Sequence, residues 1–127
     1  MQFSVSATLF TLLLGAVDAT FIHQSASTGV GLPVASTSIT TDDGHFHAIK
    51  GYFLEGCTGA PGIDFVRELC IDDGNKRAHI IWATNGQRVC FTKTYSNSET
   101  CGGSEGCWRG VCPRCWEMRY DEAPCTW

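Results

Sequence analysis

The sequence predicts a mainly β domain with at most one short helix, folded as a small disulfide-stapled sandwich or barrel-like unit. Three observations predict it. Two runs with alternating apolar residues, Ala78 to Thr84 and Gln87 to Tyr95, flank Asn85-Gly86, the strongest two-residue hairpin signal. Turn residues cut the chain into strand-length pieces at Gly56, Gly59, Pro61 and Gly62 and again at Asp72-Asp73-Gly74-Asn75. All 8 cysteines of the 127 residues lie at or after Cys57, the density of a chain stapled by disulfides.

From the N-terminus, residues 1–19 read as a secretory signal. An apolar stretch runs from Val5 to Val17, and Val17-Asp18-Ala19 places small residues at −3 and −1 of a cleavage after Ala19. The formal net charge is −4. This excludes the basic footprint of a nucleic-acid binder. The absence of a second long apolar run argues against a membrane span. Secretion in turn sets an oxidising compartment, in which the cysteines form disulfides.

Residues 20–44 are rich in Ser and Thr and hold no Cys. Such a segment buries little apolar surface and reads as a flexible arm or pro-segment. The folded domain is expected over 45–127. His45 to Glu55 reads as a strand and 56–62 as a loop. Ile63 to Ile71 fits a strand face and a helical stripe equally well. In the hairpin, a two-residue turn pairs Trp82 with Val89 and Ile80 with Phe91. Those four residues share a face, because strand side chains alternate, and that face is the expected core. The segment 96–106 reads as a loop, and 107–111 and 114–120 as two short strands.

The cysteines are Cys57, Cys70, Cys90, Cys101, Cys107, Cys112, Cys115 and Cys125. Spacing alone does not choose among their pairings. A Cys112–Cys115 bridge is disfavoured, because so short a loop suits a redox pair better than a structural one. A thioredoxin-type reading of Cys112-Pro113-Arg114-Cys115 and a zinc site at Cys107, Cys112 and Cys115 both yield to four structural disulfides. No metal and no cofactor is expected.

Four histidines are candidates for chemistry. His45 and His47 are two apart, so on a strand they would share a face. His79 could join them, with Glu55 or Glu68 as acidic partners and an arginine for phosphate, the set that small ribonucleases use. Half-exposed strand histidines explain the same residues more simply. No nucleophile elbow, zinc helix or phosphate loop is present, and no catalytic residue is assigned. Trp108, Trp116, Tyr120 and Trp127 crowd the cysteine-rich end and are the expected binding residues, since aromatic side chains favour interfaces.

The Met1-Gln2-Phe3 signal start, the short Ser/Thr-rich arm and the even cysteine set ending at Cys125 resemble the small secreted cysteine-rich proteins of filamentous fungi. Many of these are candidate effectors of pathogens. The resemblance is one of size and composition. It implies secretion into the host apoplast and damping of host defence by binding a host protein. Cys101-Gly102-Gly103 with the following aromatics also resembles fungal cellulose-binding modules over about 25 residues. A cell-wall glycan is therefore the second expected partner. A ribonuclease-like hydrolase and a killer-type toxin are the remaining readings, though membrane-active toxins are usually basic.

Overall fold

The structure, a computed structural model, describes residues 19–28, 34–101 and 112–127, with the side chain of Thr100 excepted. The expected signal, Cys107, Trp108 and the strand at 107–111 lie outside the described residues, Ala19 apart. What is described is mainly β. The strands are β1 (Phe21–Thr28), β2 (Val34–Thr40), β3 (Phe46–Ala48), β4 (Gly56–Thr58), β5 (Val66–Asp72), β6 (Arg77–Trp82), β7 (Arg88–Thr100) and β8 (Arg114–Ala123). One short 3-10 turn, Asp73–Asn75, is the only helical element among the described residues. All eight strands form a single antiparallel sheet in the order β3-β2-β1-β8-β7-β6-β5-β4, curled into a half-barrel.

The curl follows from the connection between the two edge strands. β3 and β4 lie at opposite ends of the sheet, yet only residues 49–55 join them. In a flat eight-stranded sheet the edges would stand about 34 Å apart at the usual strand spacing. The Cα steps from Ala48 to Gly56 reach at most about 29 Å. The sheet must bend, and the connection crosses its concave side.

That crossing is tied down from both ends. Ile49 N–H donates to the Thr37 carbonyl at 2.9 Å, and Lys50 N–H to that of Pro61 at 2.8 Å. Gln24 is fully buried on β1. Its Nε2 donates to the Leu54 carbonyl at 2.9 Å and to Thr37 Oγ1 at 3.1 Å, and Thr37 Oγ1 donates to the Phe53 carbonyl at 2.6 Å. Phe53 and Leu54 are half-buried, and these two side chains satisfy the carbonyls they turn toward the sheet. The loop and the turn after it bring Ile49, Phe53, Ala60, Ile63 and Phe65 against the concave side chains Ile22, Ile39, Leu69, Ile80, Phe91 and Tyr120.

The segment 20–44, expected to be a flexible arm, instead carries β1 and β2, and β1 lies in the middle of the sheet between β2 and β8. Ile22 and Ile39 face each other in register and are both fully buried. With Ile22 and Ile39 the only fully buried large apolar side chains among its described residues, set among many hydroxyls, the segment has the composition of a tail but the period-2 pattern of a strand pair. The expected strand at 45–55 shrinks to β3, because its second half is the crossing. Residues 96–100, expected in a loop, extend β7.

The hairpin keeps its predicted face and changes its register. Ile80 pairs with Val89 and Ala78 with Phe91, a slide of two residues, so Ile80, Trp82, Val89 and Phe91 still point to the core. Residues 83–87 form a longer turn. Gly86 N–H donates to the Trp82 carbonyl at 2.9 Å, and the Asn85 side chain accepts from Gln87 N–H at 2.9 Å. Burial sets the face, while turn geometry sets the register.

Tyr120, expected on a binding surface, has no exposed area. Its Oη donates to Asp73 Oδ1 at 2.9 Å, and the same carboxylate pairs with Lys93. The Lys93 hydrogen bond, helped by that of Tyr120, outweighs desolvation and holds the Asp73 carboxyl below its usual range. Burial, then the bond to Asp73, pushes the Tyr120 phenol above its usual value. A depressed carboxyl contributes stability above its unfolded value of about 3.9, and loses it as the pH falls through the folded value. The Asp73 side chain is 44% exposed, which keeps the contribution small. Asp73→Asn is therefore expected to lower the unfolding free energy by about 1 kcal/mol at neutral pH. In urea titrations at a series of pH values, the gap to wild type should close as the pH drops below about 4.

Candidate functional site

The two faces of the sheet differ in chemistry because only one is covered. On the outer face, register places Cys57 opposite Cys70, Cys70 opposite His79 and His79 opposite Cys90. Cys115 belongs to the same face. The disulfides Cys57–Cys70, Cys90–Cys125 and Cys101–Cys115 therefore staple the face that no second layer covers among the described residues. Cys112 is also disulfide-bonded. Cys115 is held by Cys101, so Cys112 and Cys115 do not pair. Several disulfides in one small domain fit an oxidising extracellular compartment. Among the described residues, no helix is long and apolar enough to cross a membrane.

A cleft of about 410 Å³ lies at the end of β1, β2, β7 and β8. Register builds its polar wall in rows across four strands. Ser36, Ser25, Glu117 and Asn97 form one row, and Val34, Ser27, Cys115 and Glu99 the next. Strand spacing places the members of a row about 5 Å apart. The side chains of Ser25, Ser27, Ser36, Asn97 and Glu99 have no hydrogen-bond partner among the described residues, while Glu117 accepts from His23 Nε2 at 2.7 Å. Trp116 lines this cleft and also the adjoining apolar pocket of about 240 Å³, where Tyr52, Leu54 and Met118 join it. Val34 and Tyr52 are each 62% exposed at the rim.

The four aromatic residues expected to bind thus divide. Trp116 stands between the two cavities. Tyr120 is core. Trp127 lies on the outer face, over the guanidinium of Arg77 at 5.5 Å, where the tail is anchored by Cys125. Trp108 is outside the described residues. Sequence reasoning missed Val34, Tyr52 and the rows of serines. Pairing β1 with β8, far apart in the chain, brings the serines and Val34 beside Trp116, and the crossing 49–55 brings Tyr52.

The histidines divide as well. His45 precedes β3 and meets Asp43 at 2.8 Å in an exposed turn. Thr41 first, then His45, hold the Asp43 carboxyl well below its usual range. His47 packs edge-on against Phe65 at 4.7 Å between centroids. His79 stands on the outer face, its Nε2 3.2 Å from Glu68 Oε1 and its Nδ1 3.4 Å from Arg88 Nη2. The three expected partners are not brought together, whereas Glu68 does meet His79. The structure assembles a carboxylate, an imidazole and a guanidinium, but around His79 alone.

No family model, no curated protein and no solved structure matches this chain. The geometry alone separates Trp116 from Tyr120 by a test. Tyr120→Ala is expected to cost about 3–5 kcal/mol of unfolding free energy, as for a fully buried aromatic residue. Trp116→Ala is half-buried and should cost less than half of that in the same denaturant titration.

Proposed function

We propose that the chain is a secreted effector-like protein of a fungal pathogen, which binds a host target in the apoplast and so damps defence. The observation that carries this reading is the cleft around Trp116. It is a half-buried tryptophan with exposed Val34 and Tyr52 at its rim, on a sheet held rigid by disulfides on its other flank. A rigid aromatic anchor in a pocket is the form that binding hot spots take, because little side-chain entropy is lost on contact. Binding, rather than turnover, is what such a surface does.

A second reading, a cell-wall glycan as the target, is favoured by the unpartnered hydroxyl, amide and carboxylate groups of the two rows. A sugar chain offers hydroxyls to match them and a ring face for Trp116. Retention on insoluble chitin or cellulose would then be lost in Trp116→Ala.

The first reading is tested on host tissue. Purified protein should reduce a defence response, read as the oxidative burst, in a dose-dependent way. Trp116→Ala, still folded by circular dichroism, should need more than tenfold more protein for the same effect. Equal potency of the variant, or no damping by the wild type, would contradict the reading.

A further inference from the structure

We propose that the Cys57–Cys70 staple is also a latent zinc site, which opens when a thiol reductant cleaves the disulfide. The two sulfurs and a Glu68 carboxylate oxygen lie within 4.8 Å of one another. Glu68 Oε1 is 3.1 Å from Cys70 Sγ. A disulfide sulfur has no proton to donate, so that contact is not a hydrogen bond. His79 Nε2 approaches the same oxygen at 3.2 Å. Two cysteines and one carboxylate thus surround one point, and an imidazole paired with that carboxylate stands beside them.

Tetrahedral zinc with sulfur, nitrogen and oxygen ligands places neighbouring ligand atoms about 3.3–3.8 Å apart. The carboxylate is already near that distance from Cys70 and from His79. The sulfurs, bonded now, need to separate to about 3.8 Å, and the His79 ring needs to swing toward them. Cys57 is exposed on an edge strand of three residues, so its side chain is free to turn. Reduction itself supplies the reason for a cation. Two thiols beside a carboxylate become a crowd of negative charge once deprotonated, and Zn²⁺ relieves it.

The balance is closed. Two equivalents of thiol transfer two electrons and two protons to the disulfide, giving two cysteine thiols and one disulfide of the reductant. Zn²⁺ then displaces the two thiol protons. With Nε2 on the metal, the ring proton sits on Nδ1, and the exposed Arg88 turns away from it. The physical consequence concerns β4, which is fastened to β5 by three residue pairs and this one bridge. In an oxidising fluid the disulfide fastens it, and in a reducing compartment the metal would do so. The site is separate from the Trp116 cleft, and neither reading depends on the other.

The test uses the full oxidised chain titrated with Co²⁺ alone, before and after reduction with a phosphine that does not bind the metal. The expected result is sulfur-to-cobalt charge-transfer absorption only after reduction, saturating at one equivalent and displaced by Zn²⁺. Cys57→Ser, Glu68→Gln and His79→Gln should each weaken binding more than tenfold, while a Cys101→Ser/Cys115→Ser variant stays within twofold of wild type. Absorption that fails to appear would overturn the proposal. So would equal binding in Glu68→Gln, His79→Gln and wild type, because that is the behaviour of loose thiols in an unfolded chain.

Discussion

The short connection between the edge strands is the constraint on which the rest of the structure depends. Residues 49–55 are too few to span a flat eight-stranded sheet, so the sheet curls around them. Once curled, it has an inside and an outside with different needs. The inside is filled by the connection itself, through Ile49 and Phe53, and by the turn that carries Ile63 and Phe65. The buried polar pair Gln24 and Thr37 exists to satisfy the carbonyls of this internal loop. An apolar residue at either place would leave a half-buried carbonyl without its side-chain partner, at a cost of about 1 kcal/mol.

Among the described residues the outside has no second layer, and disulfides tie its strands together instead. Cys57, Cys70, Cys90 and Cys115 all point outward, so the bridges hold strand to strand and tail to strand where packing cannot. This division leaves much of the outer face free of structural duty. The serine rows at one end, and the Glu68–His79–Arg88 set near the other, stand on a surface whose backbone is fixed from both sides, while Trp116, in step with Met118 and Tyr120, lies on the concave side of the same strands. A stiff surface with uncommitted side chains suits recognition, since little order remains to be gained on contact.

The sequence made the fold class and the core face of the hairpin legible, because period-2 alternation over Ile80, Trp82, Val89 and Phe91 survives any even slide in register. The register itself was not legible. Asn85-Gly86 suggests a two-residue turn, but Gly86 N–H returns to the Trp82 carbonyl and lengthens it. The Ser/Thr-rich segment misled for a compositional reason, as Ile22 and Ile39 are the only fully buried large apolar side chains among its described residues. Tyr120 resembled a surface aromatic until β8 placed it beside Ile22 and over Asp73. Of the candidate site, Trp116 could be picked from its type. Its neighbours Val34, Ser25 and Tyr52 could not, because they join it only through long-range pairing.

The central claim is that β1 and β2 belong to one sheet with the cysteine-rich hairpin strands, closed by the internal crossing. Native-state amide hydrogen exchange on residues 20–127 tests it most directly. The account predicts that the amides of Ile22, Gln24, Ile39 and Tyr120 exchange as slowly as those of Ile80 and Phe91, as members of one cooperative unit. Fast exchange at Ile22, Gln24 and Ile39, with protection confined to residues after Val66, would contradict it.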